Sequence, residues 1–127
     1  MFEVKIFTLY PDLYPGPLNK NIFKKARANK IWNLKVINLR DYATDKHKSV
    51  DDTPFGGGSG MLLRPDIVAS ALDANLKKGE TTIYLSPKGK KFDQKSAKFF
   101  SKERNLNLLC GNFEGIDQRV LEARNVE

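Results

Sequence analysis

Four short runs rich in β-branched and aromatic residues, each ended by a turn signal and separated by helical patterns, constrain the fold of this chain most tightly. Phe2 to Leu9 (FEVKIFTL) mixes alternation with β-branched residues and stops at Tyr10-Pro11, the form of a strand entering a turn. Leu34 to Leu39 (LKVINL), Thr81 to Leu85 (TTIYL) and Leu106 to Cys110 (LNLLC, ending at Gly111) read the same way. Between the first two runs, Leu18 to Lys30 sets Leu18, Ile22, Phe23 and Ala26 at helical spacing with the lysines mostly opposite, which predicts an amphipathic helix. Pro65 to Leu76 opens with a proline suited to a first helical turn and repeats apolar residues at Ile67, Val68, Ala71 and Leu72. Asp93 is placed to N-cap a helix from Gln94 to about Arg104, with Ala97 and Phe100 inward, and Ile116 to Ala123 reads as the start of a last helix. Strands separated by helical patterns of roughly 10–15 residues form βαβ units. The expected fold is therefore α/β, a parallel sheet flanked by helices on both faces. With 127 residues the chain is one domain or part of one.

Composition excludes several classes of function. No stretch approaches the roughly 18 uninterrupted apolar residues of a membrane span, and MFEVKIFTLYPD lacks the basic region and apolar core of a signal peptide. A cytoplasmic location without a membrane partner is expected. One cysteine, Cys110, and one histidine, His47, leave no internal disulfide and no Cys/His zinc site; metal chemistry would have to use oxygen ligands. The 22 Lys plus Arg against 15 Asp plus Glu are unevenly spread. Residues 1–50 carry 10 basic and 4 acidic side chains and residues 77–104 carry 9 and 3, whereas 51–76 and 105–127 are mildly acidic. Two basic blocks suit a polyanion, since neutralising phosphates releases counterions, although a basic surface also serves solubility.

Three segments could carry chemistry. Thr44 to Gly60 is a long loop, TDKHKSVDDTPFGGGSG, and loops longer than about 12 residues are usually functional or disordered. Gly56, Gly57, Gly58 and Gly60 free its backbone to turn tightly or approach another molecule closely, as in a phosphate cradle, or leave it a flexible surface loop, the commoner use of such a run; no Gly-Lys-Ser/Thr follows, so it is not a Walker phosphate loop. Asp51 and Asp52 could bind Mg²⁺, orient a base or cap a turn; His47, between Lys46 and Lys48, reads as solvated. In YLSPKGKKFDQ a strand breaks into Ser86-Pro87-Lys88-Gly89, and in LLCGNFEGIDQRV a strand ends before Gly111 and Glu114. Both breaks fall at strand carboxyl ends, where open α/β sheets bind ligands. Glu114 could pair with a base edge, assist a metal or cap the helix near Ile116, and Cys110 reads as a small buried apolar residue.

Taken in order, TLYPDLY, RDYATDKHKSVDDTPFGGGSGM, IYLSPKGKKFDQ and CGNFEGIDQRV resemble the signature segments of the bacterial tRNA (guanine-N1)-methyltransferases, the TrmD family, over essentially all 127 residues. The resemblance implies a SPOUT methyltransferase: an α/β domain with a deep trefoil knot, homodimeric in the complete protein. It also implies transfer of the methyl group of S-adenosyl-L-methionine to N1 of the guanosine at position 37 of tRNA, 3′ of the anticodon, with the anticodon stem-loop as partner.

By the same resemblance, Tyr84, Leu85, Ser86 and Pro87 match one cofactor loop and Gly111, Asn112, Phe113 and Glu114 a second. Asp51, Asp52, Gly56, Gly57, Gly58 and Gly60 match the region that contacts the target nucleotide, with Asp51 on the substrate side. Glu114 would lie near the guanine and any Mg²⁺ in a supporting catalytic role, and the basic blocks become phosphate contacts. Guanine N1 becomes a good nucleophile only as its proton leaves, and the aspartate given that task in the family has no match here, nor does the family's glycine-rich third cofactor loop. Residues 1–127 are therefore expected to be an N-terminal SPOUT domain that lacks the rest of the knot and the C-terminal helical domain, and to be inactive alone. The alternative is a non-catalytic, RNA-binding remnant of the same family. Asn112 stands where the family usually has arginine, and Phe113 where tyrosine is commoner.

Overall fold

The computed structural model describes residues 1–43, 51–52, 62–63, 65–85, 89–110 and 115–116. Its frame is a four-stranded parallel sheet built from β1 (Phe2–Thr8), β2 (Trp32–Asn38), β5 (Thr82–Tyr84) and β6 (Asn105–Leu109), with helices α1 (Asn21–Ala28), α2 (Pro65–Asn75) and α3 (Gln94–Ser101) between them. The strand order is β2-β1-β6-β5. Each of the four expected strands and the three helices that precede β6 exist, with boundaries shifted by a few residues. Phe7 lies in register with Ile37 on one side and Leu109 on the other, and Leu109 with Tyr84.

The connections decide which face each helix covers. From β1 to β2 and from β5 to β6 the chain steps the same way across the sheet, and from β2 to β5 it steps back. Right-handed crossovers then put α1 and α3 on one face and α2 on the other. Side-chain alternation agrees: Phe7, Ile37 and Leu109 point one way and join Ile67, Val68, Ala71 and Leu72 of α2 in the buried core, while Ile6 and Ile83 are buried outside that cluster. The stripe of α2 expected from its spacing is thus the stripe that is buried.

Lys5 and Asn107, two residues before Phe7 and Leu109, stand with Thr82 as a polar row beneath the end of α2. Lys5 donates to the Asn75 carbonyl at 2.7 Å, where a cation suits the negative end of the helix dipole, and to Glu80 at 3.3 Å. Asn107 donates to the Thr81 carbonyl at 3.2 Å. The Thr82 hydroxyl and the Asn107 amide oxygen are buried with no partner among the described residues.

Asp93 does cap α3, accepting from the Ser96 amide at 2.9 Å, and Ala97 and Phe100 are half-buried as expected. Helix α1 departs further from expectation. Gly16–Asn19 form a separate 3₁₀ turn before it, and none of its residues is buried: Ile22 is 72% exposed and Phe23 50%. Its hold on the sheet is Trp32, whose indole donates to the Phe23 carbonyl at 2.9 Å and whose ring lies 5.7 Å from the Arg27 guanidinium. The helix closes with a Schellman pair: Lys30 N–H to Arg27 O and Ile31 N–H to Ala26 O, with Lys30 at φ +60°.

Two further expectations are corrected. The stretch from Thr44 to Gly60 is not loop throughout, because Asp51–Asp52 form β3, paired antiparallel with β4 (Leu62–Leu63). Gly115–Ile116 form β7, parallel to β4, so Ile116 does not open a helix; the remainder of that expected helix lies outside the described residues. Two-residue strands hold too few side chains to show a period. Pairing with distant partners makes them.

Candidate ligand site at the strand carboxyl ends

Strands β5 and β6 end side by side, Tyr84 opposite Leu109, so the chain leaves the sheet at Leu85 and at Cys110 from adjacent positions. This is where an open parallel sheet exposes unpaired backbone groups to a ligand. Tyr84 is half-buried on the α2 face, packed against the core, and burial raises its phenol above the ordinary value. Leu85, the next residue, is 70% exposed. An exposed leucine leaves apolar surface beside this strand end, and ligand sites are lined mainly by apolar side chains with a few polar groups.

The end of β1 joins the same edge. The Cys110 amide donates to the Phe7 carbonyl at 2.9 Å, and the Tyr14 hydroxyl donates to the Cys110 thiol at 3.4 Å. That hydrogen bond, followed by burial, raises the Tyr14 phenol above its ordinary value. Thr8 accepts from the Tyr10 amide at 3.1 Å, turning the chain out of β1. Cys110 is half-buried and engaged in a hydrogen bond, which corrects its reading as a buried apolar residue. Nothing local in the sequence marks Tyr14. Register sets Cys110 beside Thr8, since Ile6 pairs with Leu108 and Phe7 with Leu109, but it carries no signal for Tyr14.

The small sheet β3-β4-β7 gathers a second pair of expected site segments. Asp51 and Asp52 pair with Leu63 and Leu62, which pair with Ile116 and Gly115. Gly115 directly follows Glu114, so the two aspartates share a sheet with the exit of the 111–114 segment. Of the expected site residues, Tyr84, Leu85, Asp51 and Asp52 are thus located. Ser86, Pro87, Gly111, Asn112, Phe113, Glu114, Gly56, Gly57, Gly58 and Gly60 lie outside the described residues, as does His47. Among the described residues no group of three or more His, Cys, Asp or Glu is arranged to hold a metal ion.

Comparison with known proteins adds what the geometry leaves open. A family model described as tRNA (Guanine-1)-methyltransferase TrmD matches residues 2–127. The tRNA (guanine-N(1)-)-methyltransferase of Pelagibacter ubique (strain HTCC1062) is 63% identical over 127 residues, covering 100% of this chain and 56% of the relative. The protein of the same name from Wolbachia pipientis subsp. Culex pipiens (strain wPip) is 46% identical over 124 residues, 96% of this chain and 53% of the relative. That of Bartonella quintana (strain Toulouse) is 44% identical over 126 residues, 99% and 54%. The chain spans about half the length of these curated relatives.

Proposed function

Because the chain belongs to the tRNA (guanine-1)-methyltransferase TrmD family, we propose that its strand carboxyl ends bind S-adenosyl-L-methionine for methylation of N1 of the guanosine at position 37 of tRNA. The observation that carries this reading is the adjacency of the β5 and β6 ends, from which the two segments resembling cofactor loops depart. Backbone groups of Leu85, Ser86, Pro87, Gly111, Asn112 and Phe113 would hold the adenosine and methionine parts, with Tyr84, packed against the core, at the start of the first loop. Gly111, having no Cβ, would allow the ligand close approach.

When bound, the cofactor supplies an electrophilic sulfonium methyl group, and the chain's own task is to orient the guanine against it. Asp51 and Glu114 are acceptors suited to the donor edge of guanine, its N1–H and exocyclic amine. The aspartates' shared sheet with Gly115 favours their acting on one nucleotide. Deprotonation of N1 falls to an aspartate that has no match among these 127 residues. In the whole protein these residues would form the N-terminal SPOUT domain of a trefoil-knotted homodimer in the cytoplasm, with the anticodon stem-loop as substrate; any Mg²⁺ would have to be held by carboxylate oxygens such as that of Glu114. No helix among the described residues is long and apolar enough to cross a membrane.

The test uses the whole encoded protein, S-adenosylmethionine labelled in its methyl group and an unmodified tRNA transcript carrying a guanosine 3′ of the anticodon. Label recovered as N1-methylguanosine is expected, together with loss of calorimetric cofactor binding in Gly111→Val. Label in another base, or wild-type binding by the variant, overturns the reading.

A further inference from the structure

The charge of this chain is sorted by face. The segments that carry α1 and α3, residues 20–30 and 90–104, hold eleven basic side chains against two acidic ones. Everything else holds eleven against thirteen, so the excess of cations over the whole chain comes from these two segments. Both helices lie on the same face of the sheet, as the two like-directed crossovers require. Lys20, Lys24, Lys25 and Lys30 are exposed, as are all six cations of the second segment. Among the described residues Lys5 pairs with Glu80 on the opposite face.

Apolar surface is interleaved with this charge. Phe92 is 59% exposed and Phe99 61%, and on α1 a shallow depression is lined by Asn21, Ile22, Lys24, Lys25 and Ala28. Exposed apolar residues would also suit a second copy of the chain. Two faces each carrying this excess of positive charge repel, however, and like-charge juxtaposition costs several kcal/mol. A polyanion with stacking bases satisfies both features at once, the cations taking phosphates and the aromatic rings taking unpaired bases.

We infer that the α1/α3 face is a docking surface for the tRNA backbone, extending from the strand carboxyl ends down the sheet. This rests on the function proposed above and names where the substrate lies. Both helices follow strands and run back antiparallel to them, so Lys20, Lys90 and Lys91 stand nearest the candidate site and Lys30, Lys102 and Arg104 farthest from it. An eight-residue helix is about 12 Å long, which sets the length of the track.

The experiment measures affinity for an unmodified tRNA transcript by fluorescence anisotropy across a salt series. The combined variant Lys24→Gln, Lys25→Gln, Lys95→Gln, Lys98→Gln keeps helix-forming side chains, and circular dichroism checks its fold. Its slope of log affinity against log salt is expected to be shallower than wild type by about 3, at about 0.7 to 0.9 for each phosphate no longer neutralised. A control, Lys35→Gln, Lys77→Gln, Lys78→Gln, is expected to keep the wild-type slope within about 1. If the four-lysine variant behaves like the control, or if the wild type binds phosphatidylserine vesicles in place of the transcript, the inference is overturned. Cofactor binding, measured by calorimetry, is expected to be unchanged in both variants. A protein that binds the transcript through this face but binds no S-adenosylmethionine would overturn the proposed function and leave the docking surface supported.

Discussion

Lys5 and Glu80, 75 residues apart in sequence, meet at 3.3 Å with side chains only 14% and 6% exposed. The lysine also closes the end of α2 through the Asn75 carbonyl, and the glutamate accepts from the Lys77 amide at 2.6 Å. One ion pair therefore ties β1, α2 and the turn into β5.

Breaking it from the lysine side leaves a largely buried carboxylate without its cation. Lys5→Ala is expected to lower unfolding free energy by about 3 kcal/mol, the scale for stranding one partner of a buried pair. Glu80→Gln, which keeps an acceptor, should cost less. Urea denaturation measures both; a loss below about 1 kcal/mol for Lys5→Ala, the surface-pair scale, would show that the pair contributes little.

Tyr14 gives a spectroscopic prediction. Its phenol is raised chiefly by the hydrogen bond it donates to Cys110, so its proton is held more tightly folded than unfolded. The associated stability is complete below the ordinary tyrosine value of 10.0 and is lost as pH rises through the higher folded value. Cys110→Ala should bring the Tyr14 component of the tyrosinate absorbance titration down towards 10.0, with Tyr14→Phe identifying that component among the four tyrosines. An unmoved titration would mean that the thiol does not hold the phenol proton.

The cap of α3 titrates in the opposite sense. Hydrogen bonds from the Ser96 amide and hydroxyl hold the Asp93 carboxyl below its ordinary value, so its stabilising effect is complete above the unfolded value and fades as pH falls through the lower folded one. Asp93→Asn preserves the cap at neutral pH, since Asn caps about as well as Asp, and should flatten the acid limb of a stability curve. Asp93→Ala should lose stability across the neutral range. Equal acid limbs in wild type and Asp93→Asn would refute the linkage.

Lys30 closes α1 in the left-handed region at φ +60°, where a Cβ is unfavourable. Lys30→Gly is expected to raise stability by about 0.5 kcal/mol, the left-handed penalty of a Cβ less the greater unfolded-state entropy of glycine; Lys30→Ala should give no such gain. Thermal denaturation compares the two, and equal effects would show that the backbone conformation is not what limits this turn.

Much of the scaffold is visible in local pattern. The four strand runs stop at Pro11, Leu39, Ser86 and Gly111 or within a few residues of them, the α2 stripe names the buried residues, and Asp93 sits three residues before the amide it caps. Of the site, the sequence indicates the segments through resemblance, and Tyr84 and Leu85 at a strand end through the break that follows them. It does not indicate that Tyr14 reaches Cys110 across 96 residues, or that Asp51-Asp52 and Gly115-Ile116 flank the same two-residue strand.

By itself, then, the sequence determined where the main strands and helices lie, because periodicity, caps and turn residues act over a few neighbours. Only the tertiary structure decided which surfaces meet. An amphipathic pattern gives α1 an apolar side but says nothing of whether this chain covers it, and Ile22 remains 72% exposed. Strand order and crossover handedness are properties of the assembled sheet. They bring the basic segments 20–30 and 90–104, far apart in the sequence, onto one face, while thirteen of the fifteen acidic residues fall outside those segments.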